Sequence, residues 1–271
     1  IARLRFSRSH TPGEKMYAKG ILGVAAIVAL TACSSDKVAA PPPPPPGPLA
    51  TVFTATGDIG AKVADFRNAL GAANTTAGEQ TTGRREITWD GAGANPFDNR
   101  NDFPANFFNS NVKAGAVFTT DGTGFRNDST DFSEINPTYA AQFNFFSANK
   151  IFAPVGSNKL DQLFQVAGQP TPAVTRGYGI VFSDVDLADK TTIELFAQDG
   201  SSIGTYSAPI RSDAAGLSFL GVTYDNPIVA RVRITLGTAA LGANVNDISA
   251  GGTADLVVLD NLIYGEPHKA F

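Results

Sequence analysis

From Arg84 to Gly265 the chain is a succession of short apolar segments separated by turn residues. This pattern constrains the fold more than any other feature. "REITWDG" alternates, with Arg85, Ile87 and Trp89 on one face and Glu86, Thr88 and Asp90 on the other, the period of a half-buried strand. "GAVFTTDG", "FNFFS", "NKIFAPVG", "KLDQLFQVAG" and "AVTRGYGIVFSDVD" read as further strands, the last one long and ending in acids. "TTIELFAQDGSSIGTYSAPI" is a hairpin with Asp199-Gly200 at its turn. "LSFLGVTYD", "IVARVRITLG" and "ADLVVLDNLIYG" complete the set. There is no βαβ alternation and no repeat of fixed length. With 27 glycines, 17 prolines and only 17% charged residues, short strands joined by turns are favoured over helices. The expectation is an all-β fold, an antiparallel two-sheet jelly-roll-like sandwich. "GAGANPFDNRNDFPANFFNSN" and "FRNDSTDFSEINPTY" are expected as long loops clustered at one end of it.

"TGDIGAKVADFRNALGAAN" differs. Ile59, Val63, Phe66 and Leu70 recur at helical spacing, Asp58 can cap the start and Gly71 can end the run. One short amphipathic helix is expected over about 60–70, packed on the sheet, with strands only from about residue 84.

The N-terminal part is an address rather than a fold. From Met16, Lys19 is a short positive segment, Gly20 to Leu30 is apolar, and Thr31 and Ala32 lead into Cys33, the chain's one cysteine. This is the three-part order of a secretory signal over 16–32. The stretch from Gly20 to Ala32 is about 20 Å long as a helix, too short for a bilayer core of ~30 Å. Leu30-Thr31-Ala32-Cys33 resembles a bacterial lipobox. The resemblance implies cleavage before Cys33 and lipid on its sulfur. Ser34 after the cysteine resembles the outer-membrane sorting class. Residues 1–15 precede a complete signal and are expected to be an upstream extension outside the mature protein. Residues 33–50 form a disordered, proline-rich tether in which Pro41 to Pro46 impose polyproline II, leaving 51–271 as the domain.

Charge and composition exclude several functions. The first 32 residues carry five bases (Arg3, Arg5, Arg8, Lys15, Lys19) and one acid (Glu14), leaving 16 basic against 24 acidic residues in the remainder. An acidic domain without a basic stripe argues against a nucleic-acid partner. The two histidines, His10 and His268, lie near the termini. Histidine triads, histidine-rich zinc sites, thiol catalysis and internal disulfides are thereby excluded. No phosphate-cradling glycine motif is present. Trp89, the one tryptophan, shares its strand face with Ile87 and is expected in the core.

"GRREITWDG" (83–91), "LSFLGVTYDNPIVARVRITLG" (217–237) and "DLVVLDNLIYGEP" (255–267) together resemble a family of uncharacterised secreted bacterial β-sandwich proteins, found among exported proteins with PEP-type sorting. The resemblance spans roughly 59–267 and implies the fold and export, with no established activity. Gly265-Glu266-Pro267 is followed by "HKAF", with no apolar helix and no arginine cluster, so C-terminal sorting is not carried over.

Acids in apolar strands are where chemistry could sit. Asp184 and Asp186 are two apart on one expected strand and so face one side. Asp260 lies in "VVLDNLIY", where a carboxylate is costly unless paired or metal-bound. Glu86, Asp90, Asp184, Asp186 and Asp260 are candidate calcium ligands, since calcium takes six to eight oxygens. The run "DVDLAD" does not match an EF-hand loop. The expected protein is a lipid-anchored extracytoplasmic module of the cell envelope. It would be held to a bacterial membrane, at the outer membrane or cell surface, and would bind glycan or another envelope component, with calcium as a stabiliser. The alternatives are a glycan-acting hydrolase using a carboxylate pair and a purely structural envelope or matrix protein.

Overall fold

The computed structural model describes residues 47–91, 96–213 and 215–270; the signal segment, Cys33 and the proline run lie outside the described residues. In chain order the elements are β1 (Ala50–Thr56), α1 (Gly60–Leu70), β2 (Arg84–Ile87), α2 (Phe107–Ser110), β3 (Ala116–Thr119), β4 (Gly124–Asp128), a 3-10 turn (Pro137–Ala141), β5 (Ile151–Val155), β6 (Lys159–Phe164), β7 (Ala173–Val174), β8 (Gly177–Ser183), β9 (Thr192–Phe196), β10 (Ser202–Ser207), β11 (Leu217–Tyr224), β12 (Arg231–Thr235), β13 (Val258–Gly265) and β14 (His268–Lys269).

Two antiparallel sheets face one another. The first runs β1-β11-β8-β13-β5-β4, with β2 on the C-terminal half of β13, and the second runs β10-β9-β12-β6-β3. Without the outer strands, β5-β13-β8-β11 lies opposite β6-β12-β9-β10. That order is a pair of Greek keys, the jelly roll expected from the strand pattern. Inward residues of both sheets make the main core, with Tyr178, Ile180, Phe182, Leu220 and Leu262 meeting Phe118, Leu160, Ile193, Leu195, Val232 and Ile234.

Strand alternation turns Val181, Phe219 and Ile263 to the other face of the larger sheet, where Val63, Phe66 and Leu70 of α1 and Ile59 just before it cover them. The helix has its expected limits. Asp58 Oδ1 accepts the Gly60 N–H at 3.3 Å, and Gly71 takes the C-terminal cap at φ 101°. The hairpin at Asp199-Gly200 is also as expected, joining β9 to β10 with Gly200 at φ 82°.

Four expectations are corrected. β1, read as tether and loop, is a seven-residue strand pairing β11 from Ala50 to Thr56; its partner lies more than 160 residues along the chain, beyond any local signal. "FNFFS" is irregular, because its backbone donates to side chains of Asp260 and Ser183 instead of to a neighbouring strand. The long strand through 173–186 divides into β7 and β8 and ends at Ser183, so Asp184 and Asp186 lie beyond it. The two presumed loops contain α2, β4 and the 3-10 turn, and burying Phe103, Phe125, Phe132 and Tyr139 gives these segments a packed structure. The first runs along β4, with the Phe103 N–H donating to Phe125 O at 3.0 Å.

Candidate metal centre

β8 stops where Asp184 takes a left-handed conformation, φ 71°, and donates its N–H to Gly216 O at 2.8 Å. The chain turns there and brings Asp184 and Asp186 to Asp247, which lies in the segment before β13. One carboxylate oxygen from each lies within 4.8 Å of the others. Asp184 and Asp247 are fully buried and Asp186 is 9% exposed.

Each residue is positioned by a separate device. Asp247 accepts the N–H groups of Ser249 and Leu256, both at 2.7 Å. Gln142, just after the 3-10 turn, donates to Asp184 Oδ2 and to Ser249 Oγ at 2.6 Å. Asp255 accepts the N–H of Asp186 at 3.3 Å and of Leu187 at 3.2 Å, which orients the Asp186 backbone. Three oxygens remain without a hydrogen-bond partner among the described residues: Asp184 Oδ1 and both oxygens of Asp186.

Crowded buried acids resist ionisation. Burial pushes Asp184 up to about 8; the Gln142 bond opposes this, while the charges of Asp247, Asp186 and Asp255 add to it. Burial pushes Asp186 up to about 7, reinforced by the close carboxylate of Asp247 and by the charges of Asp255 and Asp213. Asp255 is raised by burial too. A cation placed between these oxygens would remove the repulsion and occupy the vacant lone pairs. The triad could therefore hold a metal ion. Its donors are all oxygen, the preference of hard cations.

The candidates read from the sequence fall into two places. Asp184 and Asp186 come together, but around a bend instead of along one strand. Glu86, Asp90 and Asp260 lie elsewhere and are met by the chain's own donors. Glu86 accepts from Arg67 Nε at 3.1 Å and from Asn261 Nδ2 at 2.9 Å. Asp90 accepts from Ser147 Oγ at 2.8 Å and the Asn149 N–H at 2.7 Å. Asp260 accepts the N–H of Phe146 at 2.6 Å and of Ser147 at 3.2 Å. Asp247 and Asp255 were not anticipated; the available signal was Asp247-Ile248-Ser249, an Asx-turn pattern. Trp89 is in the core as expected, 4% exposed, stacked on Phe152 at 3.9 Å and donating to Asp260 O at 2.7 Å.

No described protein family matches the chain, and no curated protein does. Among solved structures it is similar to the enzymatically active domain of tailspike protein 4 of bacteriophage CBA120, at 10% identity and a TM-score of 0.28, over 62% of this chain and 21% of that one. It is also similar to a two-domain protein of unknown function from Bacteroides fragilis, at 13% identity and a TM-score of 0.23, over 58% of this chain and 46% of that one. The chain thus spans less than half of either, and at these scores neither likeness carries an argument about function. No helix among the described residues is long and apolar enough to cross a membrane.

Proposed function

We propose that this chain is a lipid-anchored extracytoplasmic module of the bacterial cell envelope that binds glycan or another envelope component. A structural calcium ion sits at Asp184, Asp186 and Asp247. The observation that carries the metal is the set of three buried oxygens without a donor, on carboxylates whose charged neighbours are also carboxylates. Calcium suits it better than magnesium. Two separate segments supply the acids and a third brings Gln142, an adaptable arrangement of the kind that calcium tolerates and octahedral magnesium does not.

The anchor rests on the lipobox-like Leu30-Thr31-Ala32-Cys33 and the proline run that follows it. Burial favours a structural centre over a hydrolytic pair: Asp184 has no exposed surface, whereas glycosidase carboxylates flank a cleft that admits the sugar.

The test is a melting series of the purified protein in chelator, in magnesium and in calcium. Calcium at 100 times its Kd stabilises a folded state by about 2.7 kcal/mol, so Tm should rise most in calcium. Equal melting in all three would remove the metal. Mass analysis of the mature N-terminus tests the anchor independently: an unmodified Cys33 would sink it. A glycan array then tests the ligand, with saturable binding expected.

A further inference from the structure

β4 and β5 pair antiparallel with Asn127 opposite Phe152. Lys150 stands two residues before Phe152, on the same face and diagonal to Asn127. At such diagonal positions long side chains reach one another. Asn127 is fully buried and Lys150 is 9% exposed. Between them lies Asp98, brought by the segment that runs along β4. Its Oδ2 pairs with Lys150 Nζ, and its Oδ1 accepts from Asn127 Nδ2 at 2.8 Å. Asn127 Nδ2 also donates to Trp89 O at 3.3 Å, while Asn127 Oδ1 has no hydrogen-bond partner among the described residues.

A primary amine and a carboxamide are thus held on the two oxygens of one carboxylate, largely out of water. The amine is a nucleophile once it loses a proton. The carboxamide is an electrophile whose leaving group needs one, and the carboxylate touches both nitrogens, as a proton carrier must. The geometry points to an intramolecular amide bond between Lys150 Nζ and Asn127 Cγ, with Asp98 as its catalytic residue.

The step balances without any co-reactant. Asp98 takes a proton from the Lys150 ammonium. The freed lone pair on Nζ bonds to Asn127 Cγ, and the carbonyl pair moves to Oδ1. Asp98 delivers its proton to Nδ2, and as the carbonyl re-forms the Cγ–Nδ2 bond breaks. Ammonia leaves with the remaining proton from Nζ as ammonium. The products are one secondary amide and one ammonium ion, and Asp98 ends as the carboxylate it was.

The bond would close the segment between β4 and β5. That segment carries Gln142 to the acidic centre and Ser147 to Asp260. A covalent closure restricts the unfolded chain as a disulfide does, and a chain with one cysteine has no disulfide of its own.

Intact-mass analysis and peptide mapping of the folded, processed protein test the bond. The expected mass is one ammonia below that of the sequence, with a fragment joining Lys150 to Asn127. Lys150→Arg and Asp98→Asn should each restore the full mass. Folded wild-type protein with full mass and a free Lys150 amine overturns the proposal. Loss of water with Lys150 joined to Asp98 overturns the assignment of Asn127 as electrophile. Loss of ammonia mapped to another asparagine overturns the site. The wild-type map decides alone if the variants do not fold.

Discussion

Phe66 fills the space that a side chain on Gly179 would need. A Cβ at Gly179 would stand 2.5 Å from Cε1 of the ring, and one at Gly221, its partner across β8 and β11, 2.7 Å from Cδ2. Two strand glycines, costly to a sheet in isolation, together form the depression that lets α1 lie close. Phe53 and Phe219 complete the surround, each with its ring centroid 5.4 Å from that of Phe66.

Gly179→Ala should therefore destabilise the domain by about 1–3 kcal/mol, the usual cost of overpacking. Urea denaturation measures it. Phe66→Leu in the same chain should recover part of the loss, because the two changes share one volume. Additive losses would show that the ring and the glycine do not compete for space.

Trp89 gives a graded test of the main core. Trp89→Ala should cost ~3–5 kcal/mol, because Phe103, Phe108, Phe118 and Phe152 all pack on the indole. Trp89→Phe keeps an aromatic ring against Phe152 and loses the bond to Asp260 O, about 1 kcal/mol. Calorimetry should rank the three proteins in that order. Since Trp89 is the one tryptophan, its fluorescence in the wild type reports this core alone.

Asp260 should make stability depend on pH. Burial raises it to about 7 against the opposing hydrogen bonds from Phe146 and Ser147. Ser147 Oγ has one hydrogen but faces Asp90 Oδ2 at 2.8 Å, Asp260 Oδ1 at 3.0 Å and Thr88 O at 3.2 Å. A protonated Asp260 resolves the shortage by donating to Ser147, which then donates to Asp90. An unfolded aspartate titrates near ~3.9. Between that value and about 7 the folded state holds the extra proton. The contribution of Asp260 is thus fully present below about pH 4, falls as pH rises and levels off above the folded value. Asp260→Asn imitates the neutral acid and should flatten this part of the curve. Denaturation of both proteins in chelator across the window measures the difference; parallel curves would exonerate Asp260.

Asp186→Asn should change sign with calcium. In chelator it removes a buried like charge beside Asp247, so Tm should rise. In excess calcium it removes a ligand, so the calcium-dependent gain in Tm should shrink. A variant that melts lower than wild type in chelator would mean that repulsion does not dominate the empty centre.

The sequence by itself determined what depends on near neighbours along the chain. Apolar spacing at Ile59, Val63, Phe66 and Leu70 defined α1. Asp199-Gly200 defined a hairpin, and the alternation through Arg85, Ile87 and Trp89 set which of these residues is buried. Frequent short strands without helical crossovers made a sandwich the natural architecture. Tertiary structure decided what depends on distant partners. β1 is a strand because β11 offers it an edge, and "FNFFS" is not one because Asp260 and Ser183 take its N–H groups. Asp184 and Asp186 stand out in the sequence as acids at the end of an apolar run, but their meaning changes with Asp247, some sixty residues further on. Carboxylates scattered along a chain are ordinary while water surrounds each one. Only folding removes that water and presses the charges together, so the energetic problem that a cation would solve exists only in the folded molecule.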